Sequence, residues 1–275
     1  MIVFFNGKFV DENEVSISMN DGGFLMGHGV YEALRTFGGK LRFVDEHIDR
    51  LFASAESMGL PLPYSKNELA DITQELVAKR YEEIGSNDKE LRIRYQITSG
   101  LDSVRYGGIK NCTFIITAFE LDKFTMKSVK VVTLDIERVS PKVKTTAMIT
   151  NILCKKFAYE NGAYESLMIN HNGLVTEGTF SNIFLIKDGV LKTPKDDILK
   201  GITRSEILKL AKDFMSIEEC EISKDELYLA DEIFLSSSTV GLLPVTHVDE
   251  RMVGDGEIGE STLELKKAYN DFVSK

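Results

Sequence analysis

The sequence predicts an α+β chain of two domains, on three observations. Strand and helix patterns interleave through the first 120 residues. A polar stretch, "ELDKFTMKS" from Glu120 to Ser128, follows a strand and breaks the apolar periodicity. Beyond it the chain is richer in strands, with two hairpin turns in close succession. The predicted division is an N-terminal domain over 1–120, a linker over 121–127 and a C-terminal domain over 128–275. A length of 275 residues, 43% of them hydrophobic, is enough for two cores.

The opening "IVFF", Asn6-Gly7 and "KFV" read as strand, tight turn and strand. "VDEHIDRLFASAESMGL" places Ile48, Leu51, Phe52, Ala55 and Met58 on one helical face, with Asp45 as candidate cap. Ser65 and Glu68 form a capping-box pattern that opens a helix through "ELADITQELVAKRYEEI". The strands "ELRIRYQIT" and "CTFIITAFE" follow. In the second half, "VKVVTLDI" is a strand and "MITNILCKKFAYENG" a helix stopped by Gly162. "YESLMIN" and "LVTEG" flank the turn at His171-Asn172-Gly173, and a second hairpin turns at Asp188-Gly189. "ITRSEILKLAKDF" is a helix with Ile207, Leu208, Leu210, Ala211 and Phe214 on its apolar side. The strand "DEIFLSS" and the helix "STLELKKAYNDFV" are the last elements.

Composition narrows the function classes. Lys and Arg total 33 against 43 Asp and Glu, a net charge of −10, which argues against nucleic acid or an anionic membrane as the main partner. The three cysteines, Cys112, Cys154 and Cys220, have neither disulfide-framework nor zinc spacing, so a reduced, cytoplasmic setting is expected. The start "MIVFFNGKFV" does not read as a signal peptide, and no apolar run is long enough to span a bilayer. The four histidines show no paired metal-ligand spacing, so no metal site is expected.

Several segments carry candidate chemistry. In "LKGITRSEIL", Gly201 precedes a helix start whose amides and dipole suit a phosphate; Thr203 with Glu206 reads equally as a capping box. "SSSTVG", Ser236 to Gly241, ends a strand with hydroxyls that suit either phosphate oxygens or turn chemistry. Arg50 lies at the edge of a helical apolar face, placed to snorkel outward or to hold an anion. Lys142 and Lys144 share a face of an extended segment, and a lysine in a cleft can act as a nucleophile. Arg92 and Arg94 share one face of a strand, suited to salt bridges or to a substrate carboxylate. Glu177 is an acid between two apolar runs, which faces water or needs a partner. "GGFLMGHG" is no phosphate loop, because His28 stands where a lysine is required. Together these segments make the inventory of a pyridoxal phosphate site: a lysine for covalent attachment, an acid for the ring nitrogen, and amides and hydroxyls for the phosphate.

The stretches "NDGGFLMGHGVYEALRTFGGKL", "EHIDRLFASAE", the lysine segment, "GLVTEGTFSNIFLIKDGVLKTP", "ILKGITR" and "ADEIFLSSSTVGLLPV" occur in the order found in class IV pyridoxal phosphate-dependent aminotransferases. The chain resembles that family over nearly its whole length. The family includes branched-chain and D-amino acid aminotransferases and aminodeoxychorismate lyase. The resemblance implies the two-domain fold type IV, with an α/β N-terminal domain, a β-barrel-like C-terminal domain and the cofactor, pyridoxal 5'-phosphate, between them. It also implies a homodimer. By position, the covalent lysine falls on Lys144, with Lys142 as runner-up, and the ring-nitrogen acid on Glu177. The phosphate ligands fall on Arg50, the Ile202 and Thr203 amides and the Ser238 hydroxyl. Tyr31, Arg94, Arg105 and Thr239 fall at substrate-binding positions.

The subfamily features are mixed. Arg94 matches the branched-chain pattern, but Met148 and Ile149 replace the tyrosine usual after the lysine, and Arg92 replaces another. "VYE" with "EHIDRLFASAE" is similar to D-amino acid aminotransferase, yet Arg105-Tyr106 lacks the histidine of its carboxylate trap. The expected reaction moves an amino group between an amino acid, branched-chain or broadly L, and a 2-oxo acid. D-amino acid transfer, the lyase reaction and a non-catalytic cofactor-binding protein are the alternatives.

Overall fold

Asn6 and Gly7 adopt positive φ, 44° and 94°, the geometry a two-residue hairpin turn demands. They join β1 (Ile2–Phe5) to β2 (Lys8–Asp11), with Phe5 opposite Lys8. The computed structural model describes residues 1–101 and 108–275, so Arg105 lies outside the described residues. These form two compact units: Met1–Lys123 with Val143–Met148, and Phe124–Lys142 with Ile149–Lys275. The segment Val143–Met148 joins the first unit through strand β3.

In the first unit the chain continues through α1 (Gly22–Met26), β3 (Gly29–Phe37), β4 (Lys40–Leu41), α2 (Val44–Ser57), α3 (Lys66–Ile84), β5 (Leu91–Thr98) and β6 (Thr113–Glu120). The sheet is antiparallel throughout, in the order β2-β1-β6-β5-β3-β4. Strand alternation assigns its two faces. Val30, Leu34, Ile93, Tyr95, Phe114 and Ile116 pack with Ile48, Leu51 and Ala55 of α2 and Leu69, Leu76 and Val77 of α3. The opposite face carries Tyr31, Arg94 and Gln96, with Tyr31 paired to Gln96 and Ala33 to Arg94.

The Ser65 capping box is formed: the Glu68 amide donates to Ser65 Oγ at 3.3 Å and the Ser65 amide to Glu68 Oε2 at 2.7 Å. Asp45, by contrast, does not cap α2. The N-cap is Phe43, in the left-handed region at φ 59°, with no side-chain cap bond. Asp45 sits in the first turn, where its charge complements the helix dipole.

The second unit runs through β7 (Val129–Asp135), α4 (Ile149–Glu160), β8 (Glu165–Ile169), β9 (Val175–Gly178), β10 (Asn182–Lys187), β11 (Val190–Pro194), α5 (Ile202–Ala211), β12 (Ser216–Cys220), α6 (Lys224–Tyr228), β13 (Glu232–Ser237), β14 (Gly241–Val248), β15 (Arg251–Met252) and α7 (Glu260–Val273). Its mixed sheet has the order β12-β11-β10-β13-β14-β7-β8-β9, with β15 paired to β14. The two ends of that order are tied. The Val175 amide of β9 donates to the Ile222 carbonyl, just past β12, at 2.8 Å, and Leu174 bridges Ser223. The sheet is thereby curled toward a barrel around Val131, Leu167, Val175, Ile183, Leu235 and Leu243. On its outer face Phe184 stacks on Phe234 at 4.8 Å, where α5 and α7 pack.

Helix α5 departs from the sequence reading. Leu208 and Leu210 are only half-buried and Phe214 lies beyond the helix, whereas Ile202, Thr203, Arg204, Glu206, Ile207 and Ala211 are buried. Two charged residues tolerate this because they have partners. Arg204 donates to the Pro194 carbonyl at 3.0 Å and to Glu219 at 2.6 Å, and Glu206 accepts from Lys209 at 2.6 Å.

Candidate active site

In the first unit, the segment Val143–Met148 runs along β3 beyond the end of short β4. The Tyr31 amide donates to the Lys144 carbonyl, and the Thr146 amide to the Gly29 carbonyl, both at 2.9 Å. Val30 bridges Thr145, and the Thr146 hydroxyl donates to the Gly27 carbonyl at 2.9 Å. Glycine at 29 permits this approach: a Cβ there would lie 2.8 Å from Thr146 Oγ1 and 2.5 Å from the Ile97 carbonyl. The result places Lys144 Nζ 4.6 Å from the Tyr31 ring centroid. The Arg94 guanidinium carbon lies 4.1 Å from the same centroid, so one ring faces two cations. Lys142 is exposed in the preceding turn.

Arg94 is half-buried and donates to Gln96 Oε1 at 3.2 Å. Burial lowers its pKa from the usual arginine value, yet a guanidinium keeps its charge. Among the described residues no carboxylate pairs with Arg94. Arg92 is exposed on the same face.

The other side of β3 holds a charge network. Glu32 is fully buried, and Arg50 of α2 clamps it through Nε at 2.6 Å and a terminal nitrogen at 2.9 Å. His47 Nδ1 lies 2.8 Å from the same carboxylate. Burial alone would raise the Glu32 pKa, but the Arg50 charge and the His47 hydrogen bond outweigh it and hold the carboxyl well below its usual range. His47 is shifted down, first by burial, with the charges of Arg50 and Lys144 adding to that effect. A neutral His47 facing a carboxylate carries its proton on Nδ1, so Nε2 is the acceptor.

In the second unit, Glu177 lies near the end of β9 and is 5% exposed. It does not face water. Arg138 Nε donates to its Oε1 at 2.9 Å, and the Leu199 amide donates to Oε2 at 2.9 Å. Arg138 is itself held by the Pro141 carbonyl. Nearby Glu165 is buried, and accepts from the Ser181 hydroxyl at 2.6 Å and the Phe180 amide at 3.3 Å. Desolvation raises its pKa, so the two acids differ in surroundings: one is paired with a cation, while burial disfavours the charged form of the other.

Past Leu199 the chain enters α5. Thr203 and Glu206 do not form a capping box, because the N-cap is Gly201 and Thr203 already lies inside the helix. Gly201 is required for space: a Cβ would lie 2.1 Å from Asn182 Oδ1. The Asn182 amide group also donates to the Leu199 carbonyl at 2.8 Å. The amides of Ile202 and Thr203 therefore open the helix without a side-chain cap. Ser238 and Thr239 sit half-buried on the turn between β13 and β14.

The amino-transferase class IV family model matches residues 29–248. The chain belongs to that family. A putative branched-chain-amino-acid aminotransferase of Methanocaldococcus jannaschii is 34% identical, over 100% of this chain and 97% of that protein. A D-alanine aminotransferase of Listeria monocytogenes is 33% identical, again over 100% and 97%. Among solved structures, a branched-chain aminotransferase from the thermophilic archaeon Thermoproteus uzoniensis, with norvaline, has a TM-score of 0.88 at 28% identity, covering 100% of this chain and 95% of the other. A further branched-chain amino acid aminotransferase, solved with pyridoxamine 5'-phosphate, superposes with a TM-score of 0.92 at 25% identity, over 99% of this chain and 94% of the other.

The sequence reading did not find Arg138, Glu32, His47 or Asn182. Glu32 left a usable signal, an acid inside the apolar strand "GVYEALRTF". Arg138 left none, since it lies 39 positions from the carboxylate it pairs with.

Proposed function

We propose that the protein is a pyridoxal phosphate-dependent aminotransferase that moves an amino group between an amino acid, branched-chain or broadly L, and a 2-oxo acid. The observation that carries this is Glu177, a buried carboxylate held by Arg138 and the Leu199 amide. A carboxylate paired with a cation and an amide away from water suits a protonated ring nitrogen. Each unit also carries a group that suits this cofactor: in the first an amine at Lys144, and in the second a helix start at Gly201 whose first amides carry no side-chain cap.

When bound, the cofactor supplies an electron sink for the carbanion formed at the substrate Cα. The residues divide the remaining work. Lys144 would hold the cofactor covalently and, as a free amine, would take and return the substrate Cα proton. Tyr31 packs against its amine end. Glu177 would hold a proton at the ring nitrogen, and Arg138 pairs with that carboxylate. Ile202 and Thr203 amides and the Ser238 hydroxyl bind the phosphate; Arg50, oriented by its fork on Glu32, adds positive charge. Arg94, Arg105 and Thr239 receive the substrate.

The branched-chain reading draws on Arg94 and on the named M. jannaschii relative. The D-amino acid reading draws on the Listeria relative and on "VYE" with "EHIDRLFASAE". The exposed apolar residues Phe24, Leu25 and Met26 of α1 support a homodimer, to be read by sedimentation. Three free cysteines support a cytoplasmic setting. No helix among the described residues is long and apolar enough to cross a membrane.

The test is spectroscopic. Purified protein loaded with pyridoxal phosphate is expected to absorb in the visible range and to fix the cofactor on borohydride reduction. Lys144→Ala abolishes the fixed adduct and Lys142→Ala retains it; persistence in the Lys144 variant refutes the lysine role. L-leucine and D-alanine, added separately, report stereochemistry by which one bleaches the band. A band that responds to no amino acid refutes the transaminase reading.

A further inference from the structure

Strand β13 carries Glu232, Phe234 and Ser236 on one face, because side chains alternate along a strand. That face is the outer one: Phe234 stacks there on Phe184. Two helices begin near it. Helix α7 starts after Gly259, and the Glu232 carboxylate accepts its second and third amides, from Ser261 at 3.2 Å and Thr262 at 2.7 Å. The protein thus supplies its own anion to that helix start.

Helix α5 starts after Gly201, and the residue beside it is different. Ser236 is the direct cross-strand partner of Asn182, so the two side chains lie adjacent on the same face. The Asn182 side chain reaches the start of α5, with Nδ2 on the Leu199 carbonyl and Oδ1 against Gly201. Ser236 is 2% exposed, and its hydroxyl has no hydrogen-bond partner among the described residues. A buried hydroxyl without a partner costs free energy unless a ligand supplies one. Its cross-strand neighbour Asn182 thus connects this hydroxyl to a helix start whose first amides, those of Ile202 and Thr203, carry no side-chain cap.

We propose that Ser236 is an additional hydroxyl donor to the anion bound at the start of α5, a phosphate monoester. This rests on the cofactor reading above, with the phosphate of pyridoxal phosphate as that anion. Ser236 then acts on the phosphate end of the cofactor alone.

The experiment titrates cofactor-stripped full-length protein with pyridoxal phosphate and, separately, with pyridoxal, which lacks the phosphate. Ser236→Ala is expected to weaken pyridoxal phosphate binding about tenfold or more and to leave pyridoxal binding unchanged. The stripped variant should unfold at a temperature no lower than wild type, since it loses an unpartnered polar group. Ser236→Thr, which keeps the hydroxyl, should retain most of the difference between the two ligands. Unchanged pyridoxal phosphate affinity in Ser236→Ala overturns the proposal. So does parallel weakening of both ligands, or a variant that is destabilised or unfolded without cofactor. Wild-type protein that takes up neither ligand overturns the cofactor reading itself, and this proposal with it.

Discussion

Replacing Arg50 by alanine removes the principal counter-charge of a fully buried carboxylate. The Arg50 fork meets Glu32 at 2.6 and 2.9 Å, and the Arg50 side chain is only 15% exposed. With charge centres about 4 Å apart and an effective dielectric of about 20, their attraction is about 4 kcal/mol. Removing one partner of a buried pair costs about 3–5 kcal/mol, so Arg50→Ala should lose that much stability at pH 7. In the double variant with Glu32→Gln the loss should be smaller than the sum of the single losses, because no buried charge is left unpaired. The pH dependence has a definite sign. Glu32 is held below the usual carboxylate range, so its contribution is complete above a pH of about 4.3 and is lost as pH falls toward its folded value. Wild-type stability should therefore fall more steeply below pH 5 than that of Glu32→Gln. Urea unfolding followed by far-ultraviolet circular dichroism, at pH 7 and at pH 3.5, reads both effects. An Arg50→Ala protein within about 1 kcal/mol of wild type, or strictly additive losses, would refute the clamp.

Three other outcomes follow from the same geometry. Glu177→Gln should leave the covalent cofactor attached and slow the half-reaction about a hundredfold or more, read by stopped-flow absorbance; an unchanged rate returns Glu177 to a structural role. Ser65→Ala removes the formed capping box of α3 and should cost about 1 kcal/mol in urea unfolding; no measurable loss would show that the cap is energetically silent. Cys154 is fully buried and burial pushes its thiol up to about 11, so it should resist thiol reagents at pH 8 until the protein unfolds. Labelling of Cys154 at the rate of an exposed cysteine contradicts that burial.

Much of the fold was legible in the sequence because much of it is set over a few residues. The Asn6-Gly7 turn needs positive φ at two positions, and those residue types supply it. The Ser65–Glu68 box spans three residues and is formed as read. Gly162 has φ 62°, the left-handed conformation that ends a helix such as α4. Alternation in "LRIRYQIT" put Arg92 and Arg94 on one face of the strand, and Leu91, Ile93 and Tyr95 are buried on the other.

What failed was decided by position in three dimensions. The pattern Thr203–Glu206 looked like a cap, but the N-cap lies two residues earlier, where Gly201 packs against Asn182 from another strand. The apolar side of α5 was misread because Arg204 and Glu206 are buried by partners outside the periodic pattern or on the helix itself. Glu177 shows the division most clearly. The sequence placed an acid between two apolar runs and left two possibilities, water or a partner. Sheet register buried it, and the approach of Arg138 and the Leu199 amide made that burial tolerable. Local propensities and periodicity act within a turn or a strand, so residue order alone determined the elements. Partners for buried charges come from distant parts of the chain, so only the tertiary structure decided which acids meet a cation and which hydroxyls are left without a partner among the described residues.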